Sequence, residues 1–208
     1  MKVLLIDPPF YEEVALGSKR GTSMRLVQNI IPSLGLGYLA AVLERNSHQV
    51  KIIDCTLGIS HERLSNLLAK DDYKPDIVGI TATTPTFESA RIVAEIVKKV
   101  HKGALVVIGG VHVTSMPEQT LKDRYFDVGV IGEGEYALLE LVEGYKEKGA
   151  RCFPEIKGLV YKIDTQIVVN QGRPFIQNLD ELPFPARHLL PPLSAYRPTP
   201  ASYKRLPI

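Results

Sequence analysis

The stretch from Ala104 to His112 constrains the fold more than any other part of the sequence. It reads Ala-Leu-Val-Val-Ile-Gly-Gly-Val-His, an apolar run rich in β-branched residues that ends at two glycines. Such a run predicts a strand buried on both faces, as in the centre of a parallel sheet. Ligands of open α/β sheets bind outside the carboxyl ends of the strands, where glycine lets them approach the backbone. We therefore expect a binding site at Gly109 and Gly110.

Four further apolar runs predict strands, and amphipathic segments lie between them. The predicted strands are Lys2–Asp7, Val50–Asp54, Ile77–Thr81, Leu105–Gly109 and Val128–Gly132. The predicted helices are Gly35–Arg45, Ser60–Lys70, Phe87–His101, Ser115–Lys122 and Glu135–Lys148. Alternation of strand and helix predicts a five-stranded parallel sheet with helices on both faces. The expected fold class is α/β, flavodoxin-like (Rossmann-like), with strand order 2-1-3-4-5.

The connection from Pro8 to Leu34 is much longer than the others. Loops of more than about 12–15 residues in compact domains are usually functional or disordered. This loop leaves the first strand beside the predicted binding site, so we expect it to cover a ligand. An irregular surface excursion is the alternative.

The pattern changes after Gly149. Residues 158–163 and 166–170 flank Asp164-Thr165 and predict a β-hairpin. Prolines then follow at high density and predict an extended linker that leads to a further segment. We therefore expect a Rossmann-like domain over residues 1–150, and a C-terminal β-hairpin with a proline-rich linker over residues 151–208.

Composition narrows the function classes. The 25 Lys and Arg residues nearly balance the 23 Asp and Glu residues, so charge favours neither a nucleic acid nor a membrane partner. No apolar run approaches the roughly 20 residues of a membrane helix. Cys55 and Cys152 form no metal-ligand pattern, and the amino terminus reads as a strand. We expect a cytoplasmic protein.

Two glycine motifs have the spacing of a dinucleotide fingerprint, but neither fits that function. Gly35-Leu-Gly37 does not directly follow its strand, which favours helix packing as its role. Gly132-Glu-Gly-Glu135 does follow a strand, yet Glu133 and Glu135 place negative charge where a phosphate would bind. A ligand rich in hydroxyl or amide groups suits these carboxylates. The alternative is that Glu135 only stabilises the helix dipole.

Polar side chains at the other strand ends are further candidates. Thr81 and Thr83 would either bond to a heterocycle or serve as turn and capping residues. His112 would contact either a ligand or a neighbouring carbonyl group. Asp7 and Asp54 end their strands at the same edge, where they would cap backbone groups. Nothing in their spacing demands a catalytic pair, and we assign no catalytic residue or metal ligand.

Several short motifs occur in an order that resembles a known family. They are Pro8-Pro9, residues 34–41, 76–81 and 109–112, Pro117-Glu118, Asp127 with residues 132–135, and residues 182–187. Together they resemble the amino-terminal cobalamin-binding domain of the cobalamin-dependent radical S-adenosylmethionine enzymes. That group includes the anaerobic magnesium-protoporphyrin IX monomethyl ester cyclases and many methyltransferases.

The resemblance implies that residues 1–150 bind cobalamin across the carboxyl ends of the strands. The residues implied near the corrin ring are Pro9, Ser33, Leu34 and Gly35. Those implied near the nucleotide tail are Thr81, Thr83, Gly109, Gly110, Val111, His112, Gly132 and Glu133. The resemblance also implies a radical S-adenosylmethionine domain downstream in the same polypeptide.

Two departures qualify these implications. Methionine synthase and its relatives supply a cobalt ligand from Asp-x-His-x-x-Gly, whereas Asp7-Pro-Pro-Phe-Tyr lacks histidine and the first histidine is His48. We therefore expect cobalamin to bind base-off, without a histidine ligand. The family's Cys-x-x-x-Cys-x-x-Cys motif, which holds a 4Fe–4S cluster, is also absent from this sequence. S-adenosylmethionine and that cluster would therefore belong only to the downstream domain. A flavodoxin-like nucleotide-binding or interaction domain, or a small enzyme using Asp7, Asp54 and His112, remains open.

Overall fold

A seven-stranded sheet forms the centre of the structure, a computed structural model that describes residues 1–10 and 30–196. Its strands are β1 (Lys2–Asp7), β2 (Gln49–Asp54), β3 (Ile77–Thr81), β4 (Leu105–Gly109), β5 (Val128–Val130), β6 (Leu159–Ile163) and β7 (Gln166–Val169). Their order is β2-β1-β3-β4-β5-β6-β7, and the first five are parallel. The predicted α/β class and the order 2-1-3-4-5 are therefore confirmed.

The predicted hairpin extends this sheet, so the sheet has seven strands and not the predicted five. Strand β6 pairs antiparallel with β5, which places Tyr161 opposite Val128 and Leu159 opposite Val130. Strand β7 pairs with β6 in turn. Leu159, Val160 and Tyr161 are all buried, which an isolated two-stranded hairpin could not achieve. Pairing also covers the edge that β5 would otherwise expose.

The helices cover both faces of the sheet. They are α1 (Leu34–Arg45), α2 (His61–Lys70), α3 (Phe87–Val100), α4 (Val111–Ser115), α5 (Pro117–Leu121) and α6 (Glu135–Lys148). Side chains from α1 and α6 pack with Leu5 and Val107 on one face. Side chains from α2 to α5 pack with Ile6 and Ile108 on the other. Successive strand residues point to opposite faces, so each strand contributes to both cores.

The region after β4 differs from the prediction. The sequence predicts one helix over residues 115–122, whereas the structure has two short helices, α4 and α5. Gly110 turns the chain directly from β4 into α4 with a φ of 98°. Pro117 starts the second helix, because proline fits a first helical turn but not a helix interior. Val111 and His112 therefore lie in a helix and not in a loop.

The predicted covering loop falls mostly on residues 11–29, which lie outside the described residues. Its expected role therefore stays a prediction, as does any role of residues 197–208. Within residues 1–10 and 30–196, none of the helices has the length and apolar character needed to cross a membrane.

Gly129 offers a test of how the hairpin packs. An added Cβ there would lie 2.6 Å from Val160 Cγ1, 2.8 Å from Val113 Cγ2 and 3.0 Å from Leu121 Cδ2. Gly129→Ala should lower the free energy of unfolding by about 1–3 kcal/mol because the core is overpacked. Urea denaturation measures this change.

Gly103→Ala is the matched control, because an added Cβ there has no atom within 4 Å. We expect it to change the free energy of unfolding by less than about 0.5 kcal/mol. Equal stability of the two variants would contradict the packing of β6 described here.

Candidate functional site

A cavity of about 240 Å³ opens at the carboxyl ends of the parallel strands, on the face covered by α1 and α6. Its floor consists of residues from four strands: Leu5, Gly79, Val107 and Val130. Helices α1 and α6 form its apolar walls through Leu36, Leu39 and Leu138. Among the described residues, its polar side chains are Ser33, Thr81, Glu133 and Glu135, so the cavity suits an apolar group with polar substituents.

Gly79 gives the cavity its depth. It occupies the middle of β3, between buried Val78 and Ile80. An added Cβ would lie 2.8 Å from Leu5 Cδ2, on the cavity floor. Gly79 is not among the predicted site residues, although a glycine inside an apolar strand is a known signal of close approach to the backbone.

Glycines also form much of the rim. Gly35, Gly109 and Gly132 all line the cavity, and an added Cβ at each would have no atom within 4 Å. Gly110 is different, because its added Cβ would lie 2.6 Å from the carbonyl oxygen of Ala82. Glycine is therefore needed at position 110 because the backbone passes close to that of Ala82 there. The other three glycines leave open space at the rim.

The structure brings together only some of the predicted site residues. Those that line the cavity are Ser33, Gly35, Thr81, Gly109, Gly110, Gly132 and Glu133. Those outside its lining are Pro9, Leu34, Thr83, Val111 and His112. Pro9 is buried, and its carbonyl accepts a hydrogen bond from the Ser89 hydroxyl at 2.5 Å. The side chains of Leu34 and Val111 are exposed.

Thr83 and His112 make their contacts outside the cavity. The backbone N–H of Thr83 donates to Thr86 Oγ1 at 2.9 Å, which is the capping role that the sequence left open. The His112 ring stacks on Phe87 with centroids 4.0 Å apart, and its Nδ1 lies 3.2 Å from Thr84 Oγ1. Burial lowers the pKa of His112, which favours the neutral ring. Phe87 packs in the core on the face opposite the cavity.

Two carboxylates lie at the rim near the start of α6. Glu133 Oε2 accepts a hydrogen bond from the backbone N–H of Ile176 at 2.6 Å. Glu135 also lines the cavity, and its buried Oε2 has no hydrogen-bond partner among the described residues. Such an oxygen can accept a hydrogen bond from a water or from a bound molecule. The sequence suggested either a ligand contact or a helix-dipole role for Glu135, and its position in the first turn of α6 at the cavity is compatible with both.

A second acidic pair lies at the ends of β1 and β2. Asp7 and Asp54 are opposite each other in the parallel register, and the Ser33 side chain donates to Asp7. Asp54 Oδ1 caps the backbone N–H of Thr56 at 3.0 Å, and Asp54 Oδ2 accepts from the Tyr196 hydroxyl at 2.7 Å. Burial and the charge of Asp54 raise the pKa of Asp7 to about 6, although the Ser33 hydrogen bond opposes this shift.

The cavity is therefore lined by three kinds of residue. Apolar residues form its floor, glycines form much of its rim, and residues with oxygen acceptors also line it. Within residues 1–10 and 30–196, no three His, Cys, Asp or Glu side chains are grouped so that they could hold a metal ion. The arrangement suits a molecule with an apolar portion and hydrogen-bond donors.

Comparison with known proteins gives a family match. The family model described as the B12 binding domain matches residues 23–142. The uncharacterized methyltransferase PH0819 of Pyrococcus horikoshii is 40% identical over 194 residues, which covers 92% of this chain and 39% of that protein. The anaerobic magnesium-protoporphyrin IX monomethyl ester cyclase of Cereibacter sphaeroides is 34% identical over 155 residues, covering 73% and 25%.

Solved structures support the fold. The cobalamin-dependent S-adenosylmethionine radical enzyme OxsB, with aqua-cobalamin and S-adenosylmethionine bound, matches with a TM-score of 0.67 at 21% identity over 89% of this chain and 24% of that one. The radical S-adenosylmethionine methyltransferase TsrM from Kitasatospora setae, with cobalamin and an iron–sulfur cluster bound, matches with 0.64 at 22% identity, covering 82% and 30%. The chain thus spans well under half the length of these relatives.

The raised pKa of Asp7 predicts a pH-dependent stability. Folding raises this pKa from 3.8 to about 6, so the folded state binds more protons between these values. The stabilisation that Asp7 provides is complete below pH 3.8 and is lost as the pH rises through about 6. Asp7→Asn cannot ionise, so it should be more stable than the wild type at pH 7, by about 1–3 kcal/mol. Urea denaturation from pH 4 to pH 8 measures the difference.

The Asp7→Asn advantage should disappear near pH 4, where the wild-type carboxyl is protonated in the folded state. Asp72→Asn serves as the control, because Asp72 is exposed and precedes β3, whereas Asp7 lies at the carboxyl end of β1. Parallel pH profiles for the wild type and Asp7→Asn would refute the shift.

Proposed function

This chain belongs to the B12-binding domain family, and on that premise we propose that it binds cobalamin as the cofactor module of a larger radical S-adenosylmethionine methyltransferase or cyclase. The observation that carries this proposal is the cavity at the strand ends. All of its lining residues except Leu5 fall within the residues that match the family, and it combines an apolar floor, a glycine rim and an unpartnered buried oxygen.

The size of the cavity indicates which part of cobalamin it would hold. Its volume of about 240 Å³ is below the roughly 300–1,000 Å³ of sites that enclose a whole drug-sized ligand. The flat dimethylbenzimidazole of the nucleotide tail would lie against the apolar floor at Gly79. The much larger corrin ring would remain outside, above the strand ends.

The rim offers contacts for the polar parts of the tail and ring. Glu135 Oε2 would accept from a ribose hydroxyl or a side-chain amide of the corrin, since it lacks a partner of its own. Thr81 would supply a hydroxyl, and the backbone at Gly109, Gly110 and Gly132 would meet the tail without steric hindrance. Glu133 would contribute through its carboxylate.

The remaining predicted residues divide into two groups. We assign Pro9, Ser33, Leu34 and Gly35 to the neighbourhood of the corrin ring. We assign Thr83 and His112 to support of the strand ends, given their contacts with Thr86 and Phe87. Exposed Val111 would lie at the edge of the site.

We propose that cobalamin binds base-off and without a histidine ligand. A tail inserted into the cavity would hold its base away from the cobalt. None of the chain's five histidines lines the cavity, and none precedes His48 in the sequence. His112, which follows the glycine pair, is stacked on Phe87 on the other face of the sheet.

The chain's own task would be to bind and orient the cofactor. Bound cobalamin supplies a cobalt centre able to carry a methyl group, and that chemistry belongs to the cofactor. Residues 1–150 would form the binding unit, and residues 151–208 would complete the sheet and lead to a downstream domain. That domain would hold S-adenosylmethionine and the 4Fe–4S cluster.

Blocking the cavity tests the proposal. The wild type should retain hydroxocobalamin after desalting, with the visible spectrum of a corrinoid that lacks a coordinated base. Gly109→Leu should weaken binding at least about tenfold, because the new side chain enters the cavity and overpacks the site. Equilibrium dialysis followed by absorbance measures the affinity.

Gly103→Leu makes the same chemical change at another glycine with open space, outside the cavity, and should bind as the wild type does. Two results would count against the proposal: no binding by the wild type, or equal binding by the two variants. A spectrum with a nitrogen-coordinated cobalt would overturn the base-off assignment alone.

A further inference from the structure

The first turn of α1 is weak by itself, although it forms part of the cavity wall. Gly35 and Gly37 lie in this turn, and each glycine costs about 1 kcal/mol of helix stability relative to alanine. Its N-cap residue, Ser33, makes no capping hydrogen bond, and the first turn contains no acidic residue. Ser33, Gly35 and Leu36 nevertheless line the cavity. This turn therefore depends on contacts from outside the helix.

The segment from Leu179 to Tyr196, here called the strap, supplies such contacts. It runs along α1, where the backbone N–H of Ala186 donates to the carbonyl of Gly37 at 2.9 Å. Pro185 packs so closely that an added Cβ at Gly37 would lie 3.1 Å from its Cβ. Further along the helix, Arg45 Nη1 donates to the carbonyl of Glu181 at 2.7 Å. The glycine at position 37 thus admits the strap, while that at position 35 faces the cavity.

The strap ends in a buried anchor at the strand ends. Tyr196 is 0% exposed, and its hydroxyl donates to Asp54 Oδ2 at 2.7 Å. Asp54 lies opposite Asp7, whose carboxylate accepts from Ser33 at the start of α1. Burial and the bond to Asp54 raise the pKa of Tyr196, so the hydroxyl remains a donor. The first turn of α1 is therefore held at Gly37 by the strap and at Ser33 by Asp7, while the Tyr196–Asp54 hydrogen bond fixes the end of the strap beside Asp7.

We propose that the strap is part of the cobalamin site and that Tyr196 is a positioning residue that keeps the first turn of α1 in place as the cavity wall. This proposal rests on the proposed function for its ligand. Its structural half, the support of α1, can be tested without any cofactor.

The experiment compares Tyr196→Phe with the wild-type chain. Phenylalanine keeps the buried ring and removes only the hydroxyl. Hydrogen exchange should accelerate about tenfold at the Gly37 amide, which donates to the Ser33 carbonyl, because loss of a buried hydrogen bond to a carboxylate frees this turn. Amides in the middle of α3 should exchange at the wild-type rate. Hydroxocobalamin affinity should fall by about the same factor of ten.

A second variant guards against a folding failure at the buried anchor. Ala186→Pro removes the N–H that donates to Gly37, and the φ of −71° at this position suits proline. It should accelerate exchange in the same turn. Phe184→Ala is the control, because Phe184 belongs to the strap but is 94% exposed.

The outcomes separate the two proposals. Unchanged exchange in α1 for both variants would overturn the role of the strap, and so would faster exchange that is equal in α1 and α3. Faster exchange in α1 with unchanged cobalamin affinity would overturn its link to the site. If the wild type fails to bind hydroxocobalamin, the proposed function fails, while the exchange data still decide whether the strap supports α1.

Discussion

The parallel pairing of β1, β3 and β4 is the constraint on which the rest of the structure depends. It places Thr81 beside Gly109, so a hydroxyl and an open glycine meet at one edge of the sheet. A parallel sheet must bury both faces, which requires helices on each side. On the face of α1 and α6, Gly79 supplies no side chain to fill the space between the layers. The cavity therefore lies between these two helices and the sheet, at the position where Gly79 has no side chain.

The two faces of the sheet consequently perform different tasks. Gly109 ends β4 beside the cavity, and Gly110 then turns the chain into α4, where His112 packs on Phe87 on the other face. Thr81 ends β3 at the rim, whereas Thr83 lies beyond the strand and caps the following turn. Packing on the face covered by α2 to α5 supports the strand ends, and this support helps to fix the shape of the cavity on the opposite face. Rigid support of this kind favours precise binding sites.

The sequence predicted most of the sheet because hydrophobic periodicity is a local signal. It could not predict that the hairpin joins β5, since that choice depends on an exposed edge far along the chain. The glycines of the rim were recognisable from their position after strands, and Gly79 carried a signal that was missed. The Tyr196–Asp54 hydrogen bond joins residues 142 positions apart, and no local pattern reveals it. Likewise, the partnerless oxygen of Glu135 depends on burial, which only the folded chain defines.

The charge at the rim determines which ligands the cavity can accept. A helix amino terminus such as that of α6 attracts anions, and phosphate-binding folds use this position for a diphosphate. Here Glu135 lies in the first turn of α6 and Glu133 just precedes it, so a diphosphate would face two carboxylates. Uncharged donors such as hydroxyl and amide groups would instead satisfy these oxygens. The start of α6 therefore disfavours a diphosphate beside it, while its two carboxylates remain able to accept hydrogen bonds from hydroxyl and amide donors.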